Sequence, residues 1–184
     1  MKTYLLDTNE EIARAWRGAF ANTDAIVINR SLADFLCGDD VECVVSPANG
    51  FGLMDGGYDQ AITDWYGPEL QKLVQRRIIS EWYGEQPVGT SLFIETDSWP
   101  PYLIHTPTMR YPKPIIDIET IYHCTRSALI CAMQHKADSV VLPAFGAGCG
   151  LVPPAYCARM MAKAYQQILT PPKSISWDYV FAIS

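Results

Sequence analysis

The residues of this chain best placed to do chemistry lie in two glycine-rich runs. The first is Val44-Val45-Ser46-Pro47-Ala48-Asn49-Gly50-Phe51-Gly52-Leu53-Met54-Asp55-Gly56-Gly57-Tyr58-Asp59, and the second is Val140-Val141-Leu142-Pro143-Ala144-Phe145-Gly146-Ala147-Gly148-Cys149-Gly150-Leu151-Val152-Pro153. Each leaves an apolar, strand-like segment and enters a helical pattern, and neither contains Lys or Arg. Clustered glycines let successive backbone N–H groups converge on an oxyanion, and the N-terminus of a following helix adds its positive dipole end. Two such loops point to one elongated, phosphate-bearing ligand gripped by main chain.

Two familiar phosphate loops are excluded. No Gly-x-x-x-x-Gly-Lys-Ser/Thr occurs, and the run 146–151 lacks the third glycine of Gly-x-Gly-x-x-Gly and comes late in the chain. The six cysteines (37, 43, 124, 131, 149 and 157) show no Cys-x-x-Cys spacing and the three histidines (105, 123 and 135) are scattered, so neither a metal site nor a disulfide scaffold is expected. No resident cofactor is expected either.

The elements that must position these loops alternate. Residues 8–21 read as a helix, with Thr8 and Glu11 spaced as a capping box. Short strands are expected over 25–29 and 41–46, the latter feeding the first loop. Residues 58–66 read as a helix, and Pro68 opens a longer one through Trp82. Strands follow at 91–95 and 102–106, then a loop over 106–114, a helix at 117–135 and a strand at 138–142. Pro153-Pro154 starts a helix to about Leu169, and the aromatic run 177–183 reads as a closing strand. Near-continuous apolar strands such as Ser139-Val140-Val141-Leu142 are buried on both faces. The expected architecture is a three-layer α/β/α sandwich around a mixed, mostly parallel sheet, with ligands outside the carboxyl ends of the strands.

At 184 residues, 49% hydrophobic and 18% charged, the chain reads as a single domain over 1–184 with a substantial core. Its formal charge of −6 argues against a nucleic-acid surface. Residues 1–7 are too short in apolar character for a signal peptide, and no run approaches membrane-spanning length, so a cytoplasmic protein away from membranes is expected.

Together and in order, the two loops resemble the macrodomain family. That family carries Asn-Ala-Ala-Asn at a strand end, then Gly-Gly-Gly-Val, and later Pro-Ala-Ile-Ser-Thr-Gly-Val-Tyr-Gly-Tyr-Pro. Here the matching stretches are Ser46-Pro47-Ala48-Asn49, Asp55-Gly56-Gly57-Tyr58 and Pro143-Ala144-Phe145-Gly146-Ala147-Gly148-Cys149-Gly150-Leu151-Val152-Pro153. Between them, Tyr102-Leu103-Ile104-His105 resembles the family's Val-Ile-His strand. The resemblance implies binding of ADP-ribose or a derivative, with the first loop around the distal ribose and the second around the diphosphate. Ligand contacts would fall on Ala48, Asn49, Gly56, Gly57, Tyr58, Gly146, Ala147, Gly148, Cys149, Gly150 and Leu151. In the hydrolytic MacroD-type branch an Asn of the first loop and an Asp ten residues later are catalytic, and Asn49 and Asp59 match both type and spacing. Asn49 would hydrogen-bond sugar hydroxyls and Asp59 would orient or activate water. The implied activity is hydrolysis of an ADP-ribosyl linkage, in mono-ADP-ribosyl protein or O-acetyl-ADP-ribose. The alternatives are a non-catalytic reader of ADP-ribosylated partners and a phosphatase on ADP-ribose phosphate.

Plainer readings of the same residues stand beside these. Asn49-Gly50 is an ordinary turn dipeptide, and Asp59 at a helix start complements the dipole. Cys149 reads as a small loop filler, Cys124 and Cys131 as core, His105 as a hydrogen-bonded core histidine, and Trp16, Trp65 and Trp82 as helix-packing residues. The chain also departs from the family. Its Gly-Asp-Ile, whose acid reads the adenine amino group, is missing, with Asp34 as a substitute within 29–35. The second loop lacks the Ser-Thr before its central glycine and the aromatic after it.

Overall fold

The computed structural model describes residues 1–183. Six strands form one sheet in the order β2-β1-β6-β3-β5-β4. They are β1 (Lys2–Leu6), β2 (Ile26–Ile28), β3 (Cys43–Ser46), β4 (Leu92–Glu95), β5 (Tyr102–His105) and β6 (Ser139–Leu142). Every pairing is parallel except β4 with β5, so the expected mixed, mostly parallel sheet is observed. The central strands β3 and β6 are buried at every residue, as their near-continuous apolar sequences lead one to expect.

Alternate side chains of these strands face two separate cores. Leu5, Val45, Ile104, Val140 and Leu142 join the core beneath α1 (Glu10–Ala19), α5 (Glu119–Gln134) and α6 (Pro154–Leu169). Leu6, Val44, Leu103 and Val141 join the other, beneath α2 (Leu32–Gly38), α3 (Gly57–Tyr66) and α4 (Glu69–Trp82). Fully buried Trp16 anchors the first core and Phe35 the second. The helical layers on both faces complete the α/β/α sandwich.

Three elements differ from the sequence reading. β1 had not been read as a strand, yet it lies between β2 and β6. α2 also went unread; Ser31 caps it by accepting from the Asp34 N–H at 3.1 Å. Residues Trp177–Ile183 form a helix, α7, rather than a strand. Ser176 accepts the Tyr179 and Val180 N–H groups, and Trp177 stacks on Phe181 one turn later, a spacing that favours helix over alternation. At α1 the cap is Asn9, whose side chain accepts the Glu11 N–H at 2.8 Å, so Thr8 is left outside the helix. Among the described residues no helix is long and apolar enough to cross a membrane.

Candidate functional site

Both glycine loops leave the carboxyl ends of adjacent parallel strands, β3 and β6. They flank a cleft of about 580 Å³, where the ends of parallel strands and the starts of the next helices meet.

The first loop is fastened by polar bonds. Asn49, 8% exposed, directs its side chain into its own loop: Nδ2 donates to Leu53 O at 2.8 Å, while Oδ1 accepts from the Phe51 and Leu53 N–H groups. Gln71 of α4 accepts the Met54 N–H, and Thr63 of α3 donates to Met54 O. The 106–114 segment straps the outer side, since Gly50 donates to Met109 O and Thr108 N–H donates to Ala48 O. Asn49 thus shapes its own turn while lining the cleft.

That loop delivers the chain into α3 at Gly56, and α3 begins without a side-chain cap. The N–H groups of Gly57, Tyr58 and Asp59 have no hydrogen-bond partner among the described residues. Unpaired first-turn amides at a positive dipole end form an anion site. At both Gly56 and Gly57 a Cβ would meet nothing within 4 Å, so the space beside these glycines is open cleft.

The second loop is fastened by apolar packing. Gly146 has φ +75, and a Cβ there would stand 2.6 Å from Ile121 Cδ1. Gly150 lies under Ile115, whose N–H donates to Gly150 O at 2.8 Å. Between them, the N–H groups of Gly148, Cys149 and Gly150 have no partner among the described residues, and a Cβ on Gly148 would meet nothing within 4 Å. Positive φ in this loop falls at Gly146 and Leu151. Three successive free amides are a second anion cradle.

Asp59 stands in the first turn of α3, 9% exposed, and Ser46 Oγ donates to its Oδ1 at 2.5 Å. Burial pushes its carboxyl up to about 7, against the lowering effect of the Ser46 hydroxyl. Oδ2 makes no hydrogen bond among the described residues, yet is not an occluded atom, so it opens on the cleft. Tyr58 presents a buried, unpartnered hydroxyl whose acidity is suppressed by burial first and by Asp59 and Asp7 next. The lining carries the carboxyls of Asp7, Asp55 and Asp59 and a single cation, Arg30, itself paired with Asp39 at 2.7 Å. Attraction for an anion must therefore come from main chain.

Of the residues singled out in the sequence, Ala48, Asn49, Gly56, Gly57, Tyr58, Asp59, Gly146, Gly148, Cys149 and Gly150 line this cleft, whereas Asp34, Ala147 and Leu151 do not. Asp34 is exposed, spent on Ser31. Asp7 and Thr8, at the end of the unread strand β1, stand in the lining, and burial raises the Asp7 carboxyl. His105 and Cys124 are structural. His105 is buried with Nδ1 against Gln86 Oε1 at 2.7 Å, and burial draws it down to about 3. Cys124 is buried and Cys149 exposed. A larger hollow, about 790 Å³, lies beside edge strand β4 between α4 and α5; neither glycine loop reaches it.

A doubly covered parallel sheet with two glycine loops cradling one cleft defines the class, and comparison with known proteins defines the family. The sequence matches the Macro domain family over residues 45–161, and the chain belongs to that family. An uncharacterised protein of Aeropyrum pernix is 32% identical over 124 residues, which span 67% of this chain and 62% of that protein. The solved macrodomain of Oceanobacillus iheyensis with ADP superposes with a TM-score of 0.65 at 28% identity, covering 74% of each chain. A glycine-to-valine variant of that macrodomain with ADP-ribose gives 0.63 at 27%, covering 73% of this chain and 74% of that one.

Proposed function

We propose that this protein binds ADP-ribose, or a molecule carrying it, across the two loops, and hydrolyses the bond joining the ADP-ribosyl group to its acceptor. The observation that carries the reading is the pair of unpartnered amide sets, Gly57 to Asp59 and Gly148 to Gly150, on one cleft. A diphosphate bridging two sugars carries anionic oxygens that such amides can hold. The Oceanobacillus relatives with ADP and ADP-ribose support the same ligand class.

Asp59 carries the proposed chemistry. With Oδ1 held by Ser46, Oδ2 takes a proton from a water in the cleft. With an ADP-ribosylated protein the water oxygen bonds to the anomeric carbon as the bond from that carbon to the acceptor oxygen breaks, its electron pair leaving on the acceptor. With O-acetyl-ADP-ribose the water oxygen bonds instead to the acetyl carbonyl carbon and the ester C–O bond breaks, releasing acetate. In both cases Asp59 passes its proton to the departing oxygen or to solvent. A base titrating near 7 suits this role at neutral pH. Burial also keeps part of the Asp59 population uncharged, which softens repulsion of a phosphate by the cleft's carboxyls. Asn49 serves by fixing the loop that delivers α3. The test is incubation with mono-ADP-ribosylated protein and, separately, with O-acetyl-ADP-ribose. Release of ADP-ribose supports hydrolysis; tight binding without release makes the protein a reader.

A further inference from the structure

The family's first loop opens with Asn, and this chain has Ser46 in that place. Ser46 ends β3, is wholly buried, and spends its hydroxyl on Asp59 Oδ1 at 2.5 Å. We propose that Ser46 is the positioning residue of the site: its hydroxyl fixes one carboxylate oxygen of Asp59 so that the other faces the reacting water. The inference rests on the hydrolytic reading above, but its geometry stands without it.

Three features make the contact more than packing. Asp59 sits in the uncapped first turn of α3, whereas Ser46 sits in a strand paired with β5 and followed by Pro47. The bond thus ties the start of α3 directly to the sheet. Oδ1 has no other donor among the described residues, so nothing replaces Ser46 if it is lost. A donor to a buried carboxylate also favours the charged form, the one able to accept a proton. The ionisable and charged groups sharing the cleft with Asp59 are few: Tyr58 from its own helix, which feels the Asp59 charge, and Asp7, Arg30 and Asp55 in the lining. From α4, Gln71 is engaged with Met54, and the nearest acid of α2, Asp34, is exposed and bound to Ser31.

The test has two arms. In the first, the side-chain carboxyl carbon of Asp59, assigned by its loss in Asp59→Asn, is titrated by NMR without substrate in wild type, Ser46→Ala and Ser46→Thr. Loss of one hydrogen bond to a buried carboxylate should move the Ser46→Ala midpoint up by roughly one pH unit, and Ser46→Thr should return it toward wild type. In the second, ADP-ribose release is followed against pH. Ser46→Ala should show its acid limb displaced upward with the same sign, a lower kcat on the plateau and little change in KM. If wild type releases no ADP-ribose, the hydrolytic reading fails while the NMR arm still judges the contact. An unmoved Asp59 midpoint in a Ser46→Ala protein of normal melting temperature overturns the proposal. A moved midpoint with an unmoved rate profile overturns the positioning role.

Discussion

The two glycine loops look alike in sequence and are built on different principles. The first is a polar construction, tied by the Asn49 side chain, by Gln71 and by the strap over residues 106–114. It ends on two ionisable groups, Tyr58 and Asp59. The second is an apolar construction, seated through Gly146 and Gly150 on Ile115, Ile121 and Val152. Its only ionisable side chain is Cys149. On the proposed function, the first loop moves a proton and the second only holds an anion. Within each loop the glycines also divide. Gly146 and Gly150 lack room for a Cβ against the protein, whereas Gly56, Gly57 and Gly148 have room that a ligand would use.

The largest expected effect separates chemistry from cradle. Asp59→Asn should lower turnover by at least about a hundredfold, the range for loss of a general base, with ADP-ribose affinity nearly unchanged. The same variant should be more stable than wild type above neutral pH. The Asp59 carboxyl is raised in the folded state from an ordinary value of 3.8 to about 7, so the folded protein holds this proton more tightly than the unfolded chain. Its contribution is complete below about pH 4 and is lost as pH rises through about 7, a difference on the order of 1–4 kcal/mol. Thermal melts of both proteins from pH 4 to 8 check the sign; a wild type gaining on the variant with rising pH would contradict it.

The division among glycines comes next. Gly148→Val should weaken ADP-ribose binding at least about tenfold, roughly 1.4 kcal/mol, with a melting temperature close to wild type, because the side chain enters open cleft. Gly146→Ala should do the reverse of that pattern, costing about 1–3 kcal/mol of stability through positive φ and the Ile121 contact. Calorimetry and denaturant unfolding on the pair would collapse the distinction if both variants lost the same property. Asn49→Ala should have the mildest selective effect, lowering affinity and turnover together by loosening one loop, a joint loss that kinetics would separate from that of Asp59.

Much of this comparison was legible in the residues. Apolar runs at 43–46 and 139–142, followed by glycines, place both loops at strand ends, and periodicity located α3, α4, α5 and α6 within two or three residues. What escaped depended on tertiary context. β1 is a short run whose partners, β2 and β6, are distant in sequence for β6, so nothing local marks it or brings Asp7 to the cleft. α2 did carry a local signal, Ser31 with Asp34 three residues on, which announces a capped helix. At 177–183 aromatic β-propensity pointed the wrong way, because a short apolar run has no decisive period and a helical turn stacks Trp177 on Phe181. The resemblance to the macrodomain family pointed to Asn49 and Asp59, but only the folded structure reveals that the Asn side chain is spent on its loop and that Ser46 holds the Asp.

If the two unpartnered amide sets form one site for a diphosphate ligand, isothermal titration of the folded protein with ADP-ribose should show micromolar binding, about −8 kcal/mol. A parallel titration with AMP, whose single phosphate cannot span both loops, should show weaker binding. No heat with ADP-ribose, or equal affinity for the two, would contradict such a site.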